Sequence, residues 1–172
     1  MTGSVPDAVD VAPLAGRTAV VVTCSTRAAA GVYPDRGGAL LEETLRAWGA
    51  SVRDAVVVPD GPAVAHAIES GLATRPDVLV TTGGTGLTPT DRTPEATRPF
   101  LTHEVPGLAE AIRARGVAHG IPTAVLSRGL SGLAGRTLVV NLPGSTGGVR
   151  DALEVLAEVL PHALSQVHGG DH

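Results

Sequence analysis

Three apolar runs, each closed by a glycine- or proline-rich loop, do most to constrain what this chain can fold into. They are Arg17–Cys24, "DVLVTT" ending at Thr82, and "RTLVVNLPG" ending at Gly144. Runs of Val, Leu and Thr with no polar alternation suit strands covered on both faces, as in a parallel sheet. A further strand is expected at "SVRDAVVV", stopped by Pro59–Gly61. Between these runs the apolar period changes to that of a helix. Leu40, Leu41, Thr44, Leu45 and Trp48 repeat at helical spacing up to Gly49, and Val64, Ala65, Ile68 and Leu72 follow the same rule. Leu108, Ala111, Ile112 and Arg115 mark another helix, and Val149 to Val167 a long amphipathic one. "TPEATRPFL" predicts a helix start with Thr93 as cap and Pro94 at the first helical position. "TAVLSRGLSGLAG" reads as a short extended segment and a turn. Strands alternating with helices predict an α/β domain with a mostly parallel sheet and helices on both faces.

The length of 172 residues suits one domain. Tyr33, Trp48 and Phe100 are single examples of their kinds, so the core must be Val, Leu, Ile and Ala. The expected boundaries are a flexible arm over 1–15, one domain over 16–168 and a frayed tail over 169–172. The opening "MTGSVPDAVDVAP" lacks a basic region and a long apolar stretch, so it does not read as a signal peptide. No apolar run approaches the roughly 20 residues of a membrane span. A formal charge of −4 argues against a nucleic-acid surface. Cys24 is the single cysteine and ends an apolar run, which reads as a buried strand residue in a cytoplasmic protein rather than a reactive thiol. The chain contains no lysine, so every mechanism that needs one is excluded.

Ligands of parallel sheets bind outside the C-terminal strand ends, which directs attention to Ser25–Asp35, Pro59–Gly61, Gly83–Asp91 and Asn141–Gly147. Glycines after a buried strand let backbone N–H groups approach an anion. Gly83, Gly84 and Gly86 therefore read as a phosphate cradle, the alternative being a common tight turn. A Walker loop needs a lysine, and the dinucleotide fingerprint would need glycine where Pro89 stands, so both are rejected. Asp91 follows the glycines, and Asp60 ends what is expected to be the neighbouring strand. A carboxylate beyond a phosphate cradle needs a cation, and Mg²⁺ takes one or two carboxylates plus phosphate oxygens. The pair suggests metal-assisted phosphoryl or nucleotidyl transfer; each alone could be a turn or cap aspartate. Gly144, Ser145 and Thr146 offer either a second anion site or a helix cap. The six histidines lack metal spacing, and His168 with Asp171 and His172 reads as tail rather than metal site.

"TTGGTGLTPTDRTPEAT", "VVNLPGSTGGVRDALE", "VVVPD" and "STRAAAGVYPDRGGALLEETL" together resemble the MoaB/Mog family of molybdenum cofactor biosynthesis proteins, over about Arg17 to His168. The likeness is greatest to the actinobacterial Mog branch, the molybdopterin adenylyltransferases. The resemblance implies a three-layer α/β/α domain and a homotrimer. It implies Mg²⁺-dependent adenylylation of molybdopterin by ATP, with release of pyrophosphate. By position it makes Asp60 and Asp91 the catalytic and metal-holding aspartates. Gly83, Gly84, Thr85 and Gly86 become the nucleotide loop, and Asn141, Pro143, Gly144 and Ser145 a substrate loop. Ser25 and Arg27 stand where the family often has Ser-Asp-Arg, with Thr26 in place of the acid. Thr90 stands where a basic residue often precedes the loop aspartate. Two other readings stay open: a catalytically silent pterin-binding paralogue, and an assembly partner of the molybdate insertase.

Overall fold

The computed structural model describes residues 12–170. Its strands are β1 (Thr18–Cys24), β2 (Ser51–Val58), β3 (Val78–Thr82), β4 (His103–Glu104), β5 (Ser131–Ala134) and β6 (Thr137–Leu142). Its helices are α1 (Thr26–Ala29), α2 (Arg36–Ala47), α3 (Pro62–Ala73), α4 (Thr93–Thr97), α5 (Pro106–Ala118) and α6 (Thr146–Val167). The sheet runs β2-β1-β3-β6-β5-β4; its first four strands are parallel, and β5 and β4 are antiparallel to their neighbours.

Residue parity assigns the two layers, because successive strand side chains point to opposite faces. Ala19, Val21, Val78, Val80, Leu138 and Val140 face one core, shared with Leu41 and Leu45 of α2 and Leu156, Leu160 and Leu164 of α6. Val20, Val22, Leu79 and Val139 face the other, against Val64 and Ile68 of α3. This is the expected α/β/α arrangement. Burying both faces explains why β1, β3 and β6 carry no polar alternation. Among the described residues, no helix is long and apolar enough to cross a membrane.

Several sequence expectations need correction. The strands carrying Asp60 and Asp91 are not neighbours, since β1 lies between β2 and β3. The loop after β1 contains α1, and α2 starts early at Arg36, where Asp35 caps it by accepting from Gly38 N at 2.9 Å. Arg92, not Thr93, takes the cap position of α4, without a side-chain bond. The ambiguous segment resolves into a 3₁₀ turn over Pro122–Leu126 and then β5. The two-residue β4 is too short to leave a periodic signal.

At the ends, residues 1–11, 171 and 172 lie outside the described set, and with them most of the expected arm and half of the tail. Leu14 is buried and its N–H donates to Trp48 O at 2.8 Å, so the last residues of the stretch called an arm belong to the core. Gly169 and Gly170 donate to Gln166 O and Ser165 O, closing α6 rather than fraying. His168 bonds Asp77, which also accepts from Thr18 N at 2.6 Å.

Candidate functional site

The chain leaves β1 toward β2 on one side and later returns to β3 on the other, so the loops after β1 and β3 diverge. Such a switch point opens a crevice at the C-terminal strand ends. A cavity of about 840 Å³ lies there, walled by the ends of β1 and β3, the α1 turn and the loops carrying Asp60 and Asp91. A second cavity of about 700 Å³ adjoins it and shares Gly84, Asp91 and Gly144 with the first. Its far wall mixes Ile112, Ile121 and Leu126 with Arg113, His119 and Asp151.

The glycine loop lies along the shared wall. Gly83 sits at φ +92°, and a Cβ there would come within 2.2 Å of Cys24 O. Its N–H donates to Leu142 O at 3.1 Å and is not available to a phosphate. Gly83 is therefore a turn residue. The N–H groups of Gly84, Thr85 and Gly86 find no acceptor among the described residues. Consecutive free N–H groups next to a cavity make an anion-binding concavity. Thr85 is buried, and its hydroxyl oxygen lies 3.1 Å from Ser127 Oγ.

Both aspartates reach this loop although their strands are not adjacent. A Cβ on Gly84 would sit 3.2 Å from Asp60 Oδ1, and a Cβ on Gly86 2.7 Å from Asp91 Oδ2. Asp60 Oδ2 accepts from Thr26 N at 3.1 Å and Thr26 Oγ1 at 2.9 Å. The Asp91 carboxylate accepts no hydrogen bond from the described residues. Asp35 also lines the first cavity, but Gly38 N and Thr23 Oγ1 occupy its two oxygens. Two carboxylates thus keep oxygens open to a ligand. Arg27 and Arg36 supply the positive charge of the first cavity and form no ion pair among the described residues. The Arg27 guanidinium stacks on the Tyr33 ring at 4.9 Å, and the Tyr33 hydroxyl lies 3.0 Å from Ser25 Oγ.

The first cavity is lined by Ser25, Arg27, Asp60 and Gly83, and the second by Thr85, Gly86, Pro143 and Ser145. Ser145 caps α6 by accepting from Gly148 N at 3.0 Å. Asn141 belongs to neither cavity. It is buried, its Nδ2 donates to Thr81 Oγ1 and Thr97 Oγ1 at 2.9 and 3.0 Å, and its Oδ1 accepts from Leu130 N. It ties β6 to α4 and lines neither of these cavities, so the structure does not bring it together with Pro143, Gly144 and Ser145 of the implied substrate loop. Cys24 is buried as expected. Burial pushes its thiol up to about 11, and the Asp60 charge pushes the same way, so no thiolate nucleophile stands here.

Sequence reasoning missed Arg128. Its Nε donates to Gly86 O at 2.9 Å and its Nη2 to Asp91 O at 2.6 Å, while Nη1 pairs with Glu95. One guanidinium thus holds both ends of the loop that carries Asp91. The hydrogen bond from Arg128 also holds the Glu95 carboxyl below its usual value. No local signal marks this arginine, which lies in the segment with no clear period.

A family model described as a probable molybdopterin binding domain matches residues 20–162. The chain belongs to the MoaB/Mog family. This MoaB/Mog chain is 39% identical over 168 residues to the molybdenum cofactor biosynthesis bifunctional protein of Synechococcus elongatus, covering 97% of itself and 52% of that protein. It therefore spans about half the length of that relative. It is 31% identical to the molybdopterin adenylyltransferase of Helicobacter pylori, over 87% of itself and 86% of that protein. Among solved structures, the molybdopterin biosynthesis Mog protein from Mycobacterium ulcerans matches with a TM-score of 0.81 and 49% identity, over 88% of this chain and 99% of that one. The last match agrees with the actinobacterial branch of the MoaB/Mog family expected from the motifs.

Proposed function

We propose that this chain acts in molybdenum cofactor biosynthesis as a molybdopterin adenylyltransferase. The terminal phosphate oxygen of molybdopterin attacks the α-phosphorus of ATP; the new P–O bond forms as the bond to the bridging oxygen breaks, and pyrophosphate leaves. The observation that carries this reading is the convergence of Asp60 and Asp91 on the glycine loop that borders two adjoining cavities. A transfer between two anions needs two binding volumes with a shared wall of N–H donors. The relative named as a molybdopterin adenylyltransferase supports the same chemistry.

Mg²⁺ fits the donors present. Asp60 Oδ1 and both Asp91 oxygens are hard ligands without protein hydrogen bonds. Among the described residues no group of three or more His, Cys, Asp or Glu gathers for a metal, so phosphate oxygens and water would have to complete the coordination of an ion held here. When bound, Mg²⁺ would neutralise phosphate charge and polarise the bonds at the α-phosphorus. The chain's own contribution is placement. The N–H groups of Gly84, Thr85 and Gly86 hold phosphate oxygens, Arg27 and Arg36 offset the charge in the first cavity, and the mixed apolar and polar wall of the second receives the acceptor.

Incubation with molybdopterin, ATP and Mg²⁺ is expected to yield adenylylated product and pyrophosphate. Asp91→Asn keeps the volume and removes the charge, and should slow product formation roughly 100- to 1,000-fold, the scale of losing one electrostatic stabiliser. Molybdopterin binding should persist. Parent-rate turnover by Asp91→Asn would refute the metal role. A second reading, a partner of the molybdate insertase, draws on the bifunctional relative, which joins a segment like this one to a further segment of similar length. Co-purification with the insertase without any turnover would favour it.

A further inference from the structure

We infer that Thr26 is a positioning residue for Asp60, and that its hydroxyl decides which carboxylate oxygen is left for a divalent cation. The inference rests on the adenylyltransferase reading for the identity of the cation, but on geometry for the contact itself. Thr26 and Asp60 are 34 residues apart in sequence and lie on loops after β1 and β2. They meet in a three-bond clasp. Thr26 Oγ1 donates to Asp60 Oδ2 at 2.9 Å, Thr26 N donates to the same oxygen at 3.1 Å, and Asp60 N donates back to Thr26 Oγ1 at 3.1 Å. A hydroxyl can give its proton to a carboxylate and accept from the adjacent amide through a single atom. An amine could not accept, and an ionised carboxylate could not donate.

The clasp has two consequences. It fixes the rotation of the Asp60 carboxylate, so Oδ2 is satisfied by protein while Oδ1 faces Gly84 and the cavity. Fixing a ligand oxygen before the cation arrives removes the ordering cost from binding. It also adds no charge. The first cavity already carries Asp35, Asp60 and Asp91 against Arg27 and Arg36. An acid at position 26 would put a second carboxylate at hydrogen-bond distance from Asp60, where both could not stay ionised without a cation or a shared proton. Threonine holds the aspartate without that dependence.

The test uses the full chain with Mn²⁺ as the paramagnetic stand-in for Mg²⁺, in the presence of ATP, and reads the protein's ion affinity from the loss of free Mn²⁺ signal beyond that given by the same ATP without protein. Thr26→Val keeps the volume and the backbone donor but deletes the hydroxyl, and Thr26→Ser restores it. Thr26→Val is expected to bind Mn²⁺ about tenfold more weakly, the scale of losing one hydrogen bond to a charged group. Thr26→Ser should bind within about twofold of the parent, and all three proteins should melt as single cooperative transitions. In turnover, the Mg²⁺ concentration for half-maximal rate should rise with Thr26→Val and return with Thr26→Ser. Equal Mn²⁺ affinity in a folded Thr26→Val protein overturns the inference. Weaker Mn²⁺ binding by Thr26→Val, with a parent that makes no adenylylated product, upholds the clasp and rejects the adenylyltransferase reading. A parent that takes up no Mn²⁺ beyond that held by ATP alone overturns both.

Discussion

Gly83 and Gly86 stand three positions apart in one loop, yet a methyl group meets different obstacles at each. At Gly83 it would press on the Cys24 carbonyl, part of the backbone, from a left-handed conformation. At Gly86 it would meet the Asp91 carboxylate, the end of a side chain, with no unusual φ. Gly83→Ala should therefore cost fold stability, with overpacking of about 1–3 kcal/mol added to a left-handed cost of about 1–2 kcal/mol. Gly86→Ala should leave the melting temperature nearly unchanged and, on the proposed function, weaken ATP binding or turnover about tenfold or more, because it displaces the carboxylate that faces the glycine loop. Thermal melts paired with ATP titrations decide this. An equal drop in stability for both would mean that Gly86 serves only the turn. The clasp of Thr26 on Asp60 is a fact of the same scale, and it gives the threonine that stands in place of the acid of Ser-Asp-Arg a specific contact.

Among elements, the loop between β3 and α4 is held by partners outside it as well as by its own glycines. Thr93 N returns to Gly84 O at 3.0 Å, and Arg128, from the stretch before β5, spans Gly86 O and Asp91 O. The clamp is anchored at its outer end by Glu95 of α4, whose carboxyl the Arg128 hydrogen bond holds below the ordinary value of 4.5. A depressed carboxyl contributes its stabilisation above the unfolded value and loses it as pH falls through the lowered folded value. Exchange of the Asp91 amide, which donates to Thr88 O at 3.0 Å, should thus be slow from neutral pH down to the ordinary carboxylate range, after correction for the intrinsic pH dependence. It should then rise once acid protonates Glu95. Glu95→Gln should show the faster exchange already at neutral pH, with a small effect on global stability because the pair is largely exposed. Exchange that tracks global unfolding at every pH would show that Arg128 does not clamp the loop.

For the whole molecule, strand order places the site. With β1 between β2 and β3, the loops bearing Thr26, Asp60 and Asp91 converge from three strands on one crevice. The helix α6 spans the molecule from Ser145 at the second cavity to His168 at Asp77, burying Leu156, Leu160 and Leu164 on the way. The family resemblance carries an expectation at this scale too, a cyclic homotrimer with one site per subunit. Light scattering at micromolar concentration should give three times the chain mass of 17.3 kDa. A monomer would remove the trimer from the account while leaving the site within one chain intact.

What the sequence by itself determined follows from local periodicity and turn chemistry. The doubly buried strands β1, β3 and β6 and the faces of α2, α3 and α6 could be read because burial on two sides or one leaves a regular apolar pattern. The glycine loop and the two aspartates were legible because bare backbone and a carboxylate are unusual after a buried strand. Tertiary structure alone decided the rest. It separated β2 from β3, turned Asn141 into a buried tie, gave Gly83's N–H to Leu142 and brought Arg128 to Asp91. Each of these depends on a partner dozens of residues away, and a hydrogen bond made across such a distance leaves no period in either segment that makes it.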